Sequence, residues 1–319
     1  MRILVTGASG CVGRGLLPAL LDRGHRVVAL DKEPGVARRI AHPRLSFVEG
    51  AVEEPAAVAL ACRDIEAVVH LAWSFSDDPR ALVEGDLRGH ALLLEAARTQ
   101  AVRHFLYAST AVVYGKPAAV PVAEDHPLDV LAARKPAYGI AKAFAEQLTL
   151  LAGRAPGLSA TVVRFWWAFG ETIPGKHLRE MLTTAAAGRP LAVPAECGGS
   201  FLTQEDFNAA VLLLLERPGP GGRLFNLASA YVGWDEVARM TLAATGGTGG
   251  VEPVPRGAWT GAAFLADRWE LDTARIRSAL GFSPTRDAAG VREALARAIR
   301  RSWQALQGAA DKSSLPSSA

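Results

Sequence analysis

Short apolar runs and longer amphipathic stretches alternate along the first half of the chain. Residues 3–6, 26–30, 45–48, 67–71, 104–108 and 160–165 are rich in Val, Ile, Leu and Phe and show no polar alternation. That is the pattern of strands buried on both faces of a parallel sheet. Between them, 12–23, 54–62, 79–99 and 137–153 have helical composition. Alternation of this kind over residues 1–165 predicts a doubly wound α/β fold.

Beyond residue 165 the rhythm changes. A loop at 170–175, a helix at 176–187, an irregular stretch at 190–199, a helix at 206–215 and a buried strand at 222–227 are expected. Residues 243–255 read as a turn and linker. The glycines there are a weak phosphate signal, because the stretch ends in a Pro-containing strand and not a helix N-terminus. An amphipathic helix is expected at 291–306 and a disordered tail at 307–319.

Composition narrows the class. Half of the 319 residues are hydrophobic and 21% are charged, which excludes disorder for the bulk of the chain. With 35 basic and 32 acidic residues the formal charge is only +3, which argues against a nucleic-acid partner. Cys11, Cys62 and Cys197 are scattered, with neither metal-ligand spacing nor a disulfide framework. A strand beginning at Arg2 leaves no room for a signal peptide, and no apolar run reaches the ~18 residues of a membrane span. The expectation is a soluble cytoplasmic protein that binds neither metal nor membrane.

The first candidate chemistry lies at the N-terminus. Residues 1–24 form a strand, a turn with Gly7, Gly10 and Gly13, and a helix. Gly7 allows the tight turn, Gly10 lets a pyrophosphate approach the backbone, and Gly13 lets the helix pack on the sheet. The amides of Cys11 and Val12 would face the anion. Asp31 closes the next strand about 20 residues on, where it would bind the adenosine ribose hydroxyls. A carboxylate there repels a 2′-phosphate, so NAD is favoured over NADP; Lys32 and Arg14 act in the opposite sense.

A second constellation is Ser109-Thr110 at the end of a buried strand, followed by Tyr138 and Lys142 opening a helix. Positions i and i+4 share a helix face, so both side chains can enter one cleft. A phenol titrates near ~10, and using it as a base at neutrality requires about 4 kcal/mol. One cation ~4 Å away at an effective dielectric of ~20 supplies about that much, which Lys142 would provide. Thr110 would hydrogen-bond the substrate oxygen beside Tyr138.

These segments, with HLAW at 70–73, STAVVYG at 109–115, RFWWAFG at 164–170, FLTQEDFNAA at 201–210 and LDTARIRSALGF at 271–282, occur in the order of a known family. The chain resembles the extended short-chain dehydrogenase/reductases, the NAD-dependent epimerases and dehydratases of sugars. The resemblance implies a Rossmann-type domain (1–166 plus 201–228) and a smaller, discontinuous C-terminal α/β substrate domain (167–200 plus 229–306). It also implies a catalytic Thr110, Tyr138 and Lys142, with Lys142 holding the nicotinamide ribose. Further cofactor contacts at Val52, Leu71 and Ala72 and a homodimer built on a four-helix bundle belong to the same expectation.

Departures from the family pattern bear on substrate. Where nucleotide-sugar members carry an Asn for the substrate pyrophosphate, this chain has Trp167; where they carry an Arg, it has Gly199 or Ser200. Trp73, Phe75, Trp166 and Trp167 offer aromatic walls instead, with Ser109 and His177 as further substrate contacts. Ala111-Val112 replaces the Asp-Glu pair of sugar 4,6-dehydratases. An Asn usual at the start of the long central helix is Asp86. The reading is an NAD-dependent oxidoreductase moving a hydride between nicotinamide and a secondary alcohol or ketone of a small, non-nucleotide substrate. The alternatives are a nucleotide-sugar epimerase and a non-catalytic NAD-binding regulatory protein.

Overall fold

The computed structural model describes residues 1–33, 35, 37–219 and 221–313. Seven strands make one parallel sheet: β1 (Arg2–Thr6), β2 (Arg26–Asp31), β3 (Leu45–Glu49), β4 (Ala67–His70), β5 (His104–Ala108), β6 (Ser159–Arg164) and β10 (Gly222–Asn226). Their spatial order is β10-β6-β5-β4-β1-β2-β3. Chain order therefore reverses between β1 and β4, and a crevice opens at the C-terminal ends of those two strands.

Both sheet faces are covered, which is why the strands are apolar throughout. On one face α1 (Gly13–Asp22) contributes Leu16, Leu17 and Leu20, and α7 (Gln204–Glu216) contributes Phe207, Val211 and Leu215. On the other lie α2 (Pro55–Ala61), α4 (Arg88–Thr99) and α5 (Pro136–Ala152), with Val58, Leu93 and Ala145 in the core. Pro55 and Pro136 each start a helix, a position where the missing N–H costs nothing.

The helix expected at 79–99 is not continuous. A single turn, α3 (Pro79–Ala81), leads into a π-helical turn at Leu82–Leu87 before α4 begins. The wider turn carries Asp86 inward, where its carboxylate accepts a 2.8 Å bond from the Ser74 amide and a second from the Ser74 hydroxyl.

Beyond β6 the chain builds a second unit. β9 (Gly198–Thr203) pairs antiparallel with β11 (Ala230–Gly233) and parallel with both β7 (Trp167–Phe169) and β13 (Arg268–Trp269). Residues 201–203, grouped above with the cofactor-binding part, thus pair in the small sheet, while α7 and β10 pack with the large one. α6 (Lys176–Ala186), α8 (Trp234–Thr245) and α10 (Ala288–Ser313) enclose a separate core around Phe169, Phe201 and Trp234. A short α9 (Ala274–Leu280) returns to the large sheet through Ile276 and Leu280.

Three expectations need correction here. The stretch 190–199 is not irregular: it holds β8 (Leu191–Pro194) and the start of β9. Residues 243–255 are not a linker, since α8 runs into them and β12 (Val251–Val254) pairs parallel with β8. The tail expected from residue 307 is helical to Ser313 as the last turns of α10; 314–319 lie outside the described residues. No described helix is long and apolar enough to cross a membrane.

Candidate active site

The glycine turn sits at the carboxyl end of β1, over the crevice. Gly7 has a φ of +64°, and a Cβ there would lie 2.7 Å from the Ala72 amide nitrogen. A Cβ on Gly13 would lie 2.3 Å from the Gly7 carbonyl oxygen. Both glycines are therefore required by close backbone approach, which folds the turn tightly under the α1 N-terminus. Gly10 and Cys11 form the exposed lip of that turn and Val12 is the helix cap.

Asp31 lies beside it at the end of β2. One carboxylate oxygen accepts a 2.8 Å bond from the Ser9 amide and the other a 3.2 Å bond from the Glu33 amide, leaving lone pairs on both. Lys32 is exposed. Leu71 and Ala72, following β4, are fixed by amide bonds of 3.2 and 3.1 Å to the Thr6 hydroxyl. Val52 packs where a Cβ on Gly89 would be only 2.5 Å from it. A compact glycine turn at a helix N-terminus with a carboxylate on the neighbouring strand fits an adenine dinucleotide: the turn for the pyrophosphate, Asp31 for the ribose.

The second half of the site follows β5. Thr110 has an extended backbone, and its hydroxyl accepts a 3.2 Å bond from the Val112 amide, capping a short 3-10 turn. Tyr138 packs in the same small cluster as Val112, two residues beyond Thr110. Tyr138 is oriented from the other side by its own amide, which donates 3.0 Å to Asp77, and by Phe75, whose ring stacks on it at 5.9 Å.

Lys142 lies one turn further along α5. Its ammonium donates 2.9 Å to the Ala108 carbonyl and sits 4.1 Å from the Trp73 ring centroid and 4.7 Å from that of Tyr107. Burial lowers its pKa to about 7, against the opposing pull of the Asp86 and Glu146 carboxylates. Burial and the Asp86 charge together push the Tyr138 phenol up, while Thr110 and Arg134 act in the opposite direction. Desolvation acts on both groups and opposes the help expected from Lys142, to which the positive charge of a bound nicotinamide would add.

Other predicted residues take different places. The Ser109 hydroxyl donates to Glu146, which forms a fully buried ion pair with Arg164, so Ser109 faces the interior. Trp73 forms a wall of the lysine pocket. Trp166 is turned against Phe201 and Trp234 at 5.5 and 5.6 Å, within the core of the small unit. Trp167 stacks on Phe201 at 5.9 Å, with its indole N–H bonded to the Pro174 carbonyl. Phe75 is largely exposed. His177, near the start of α6, packs against Phe264 at 4.7 Å.

Several groups escaped the sequence reading. His70, His90 and Tyr107 lie behind Lys142, with His90 4.7 Å from the Tyr107 ring. Burial lowers the pKa of both histidines, His90 to about 3, and their neutral rings add no charge beside the lysine. Arg134, close to Tyr138, had no motif to mark it.

With this geometry, the comparisons with known proteins fall into place. A family model described as the NAD dependent epimerase/dehydratase family matches residues 3–228. The chain belongs to that family. A UDP-glucose 4-epimerase of Azospirillum brasilense is 29% identical over 322 aligned residues, covering 90% of this chain and 88% of that one. A 4-hydroxy-2-methyl-3-oxo-4-farnesyl-3,4-dihydroquinoline-1-oxide ketoreductase of Stigmatella aurantiaca is 31% identical, covering 71% and 68%. Two further relatives named for UDP-glucose 4-epimerase align over about half of their own length and another over 91%. Among solved structures, a double mutant of the dTDP-glucose 4,6-dehydratase of Streptomyces venezuelae, with NAD bound, superposes with a TM-score of 0.76. It is 25% identical, and the match covers 96% of this chain and 97% of that one.

Proposed function

We propose that this chain is an NAD-dependent enzyme that oxidises a secondary alcohol of a sugar-type substrate and reduces the resulting ketone from the other face, inverting the carbon. The observation that carries the reading is that Tyr138 and Lys142 share one face of α5, the ammonium 6.0 Å from the phenol ring centroid, beside the turn that Thr110 caps at the carboxyl edge of the parallel sheet.

NAD, held at the glycine turn and Asp31, would accept and return a hydride. Tyr138 takes the hydroxyl proton as the C–H hydride leaves, and gives it back to the ketone oxygen on the return. Thr110 holds that oxygen against Tyr138. Lys142, enclosed by Trp73 and Tyr107, holds the ribose and favours the ionised phenol when protonated. Ala111-Val112 offers no acid or base for eliminating water, so epimerisation fits these residues better than dehydration.

The names of the relatives favour a nucleotide-sugar substrate. A specific observation favours a second reading: Trp166 packs over Gly199, and Trp167 stands where an Asn is usual in nucleotide-sugar members. A one-way reduction of a non-nucleotide ketone would use the same proton and hydride path. The ketoreductase among the relatives belongs to that class.

The deciding experiment incubates NAD-loaded protein with UDP-glucose or UDP-galactose and follows C4 inversion by NMR. Interconversion that disappears in Tyr138→Phe supports the epimerase. No inversion, with NADH consumed on neutral ketones, selects the reductase. Inactivity in both assays, with tight NAD binding, would refute the catalytic proposal.

A further inference from the structure

The segment entering α5 carries two cations with different fates. Lys135 is engaged by the Phe75 carbonyl, which ties it to the loop over Tyr138. Arg134 has neither an ion pair nor a hydrogen bond among the described residues. Its guanidinium carbon instead lies 4.2 Å from the Phe264 ring centroid.

Three arginines elsewhere in the fold are matched. Arg164 pairs with Glu146, Arg256 with Asp267 at 3.2 Å, and Arg275 with Glu124 at 3.4 Å. Glu180, the acidic group beside His177, is taken by Lys176 at 3.6 Å and by His177 itself at 3.4 Å. Asp77 accepts the Tyr138 amide.

A guanidinium held over a ring keeps its N–H edge free for a planar, two-oxygen acceptor. Here the ring is shared: His177 packs against the same Phe264, so an arginine and an imidazole are gathered on one support. Arg134 precedes Tyr138 by four residues at the entry to α5, and Phe264 joins it to His177.

We propose that Arg134, braced by Phe264 with His177 beside it, is the anion receptor of the substrate site, and that the substrate joins its reacting hydroxyl to a carboxylate or phosphoryl group. This rests on the reading that Tyr138 meets the carbinol. An anion on Arg134 fixes which carbon of a polyol reaches Tyr138, a choice that the uniform hydroxyls of a sugar do not make by themselves. It also gives a diphosphate or a sugar acid an anchor of a kind that Gly199 and Ser200 do not offer.

The test is calorimetric titration of the NAD-loaded protein with UDP, glucose 1-phosphate, glucuronate and galactose. Arg134→Met keeps the packing on Phe264 and removes the charge; Arg134→Lys restores charge without the planar fork. At least one anionic probe should bind the unmodified protein, weaken by about tenfold or more in Arg134→Met, and recover in part in Arg134→Lys. Its affinity should fall with added salt. UDP, the phosphate monoester and glucuronate separate the phosphoryl and carboxylate sources. An anionic probe bound equally by the unmodified protein and Arg134→Met, or no anionic probe bound at millimolar concentration, overturns the proposal.

NAD affinity measured on each variant reports whether it is folded. Probe binding by Tyr138→Phe separates the receptor from the catalytic reading. If that variant and the unmodified protein both bind the anion but neither turns over any alcohol or ketone, the catalytic reading fails while the receptor stands.

Discussion

Trp166 occupies the space that any side chain at Gly199 would need: a Cβ built on Gly199 would lie 2.2 Å from Cζ3 of the indole. The two positions are thus a matched pair, one large and one empty, across β9. Gly199→Ala forces the indole to move and should cost about 1–3 kcal/mol in unfolding free energy. In a Trp166→Leu background the same change should cost much less, because the obstructing ring is gone. Denaturant titration of the four proteins measures the coupling. Additive effects would mean that the indole is free to move aside.

Catalysis should depend on Tyr138 and Lys142 in different ways. Tyr138→Phe should lose at least ~100-fold in hydride transfer while NAD affinity stays within a few-fold, since the phenol acts on the substrate. Lys142→Ala should lower both turnover and NAD affinity. Retention of about a tenth of the activity by Tyr138→Phe would remove it from the role of proton carrier.

Lys142 also predicts a pH dependence of stability for the cofactor-free chain. Burial lowers its pKa from 10.5 to about 7 in the folded state. Between those values the unfolded chain holds a proton that the native chain has released, so stability rises with pH, by up to about 1.4 kcal/mol per unit. Below about 7 both states are protonated and the cost of the buried ammonium is fully present. The stability advantage of Lys142→Met over the unmodified protein should therefore be largest near neutrality and shrink toward pH ~10. An unchanging difference in denaturant titrations across that range would contradict a depressed lysine.

An apolar stripe on α5 predicts self-association. Ile140, Phe144 and Leu151 are 47%, 53% and 59% exposed and share one helix face. A patch of this kind is commonly an interface, and covering it with the same face of a second copy would give the two-fold dimer expected above. Phe144→Glu should convert the dimer to a monomer in sedimentation velocity without loss of NAD binding. A monomeric unmodified protein at micromolar concentration would exclude the stripe as a dimer interface.

The large sheet was readable because its strands are buried on both faces and so carry uninterrupted apolar runs. β8 was not, because Pro194 closes it, and the pairing of β8 with the Pro-containing strand β12 left no local sign. A two-stranded ribbon leaves backbone groups unpaired on its outer edges, and proline is tolerated there. The glycine turn, Asp31, Thr110, Tyr138 and Lys142 stand close together at regular spacings, which made them visible. Arg134 and Phe264 meet only through the tertiary fold, and nothing in either local sequence announces the contact. Trp166 shows the converse: an aromatic in a functional segment that serves the core.

The junctions between the two sheets have a mechanical consequence. Only residues 165 and 166 separate β6 from β7, and β9 passes into α7 at Gln204 with no intervening residue. Gln204 in turn donates 3.0 Å to the Val12 carbonyl at the glycine turn. The cofactor side and the substrate side are thus spliced without slack at these two crossings, while three residues link β10 to β11 and longer segments flank α9. At these two junctions a shift of the small sheet would pull directly on β6 and on α7, and through Gln204 on the glycine turn itself.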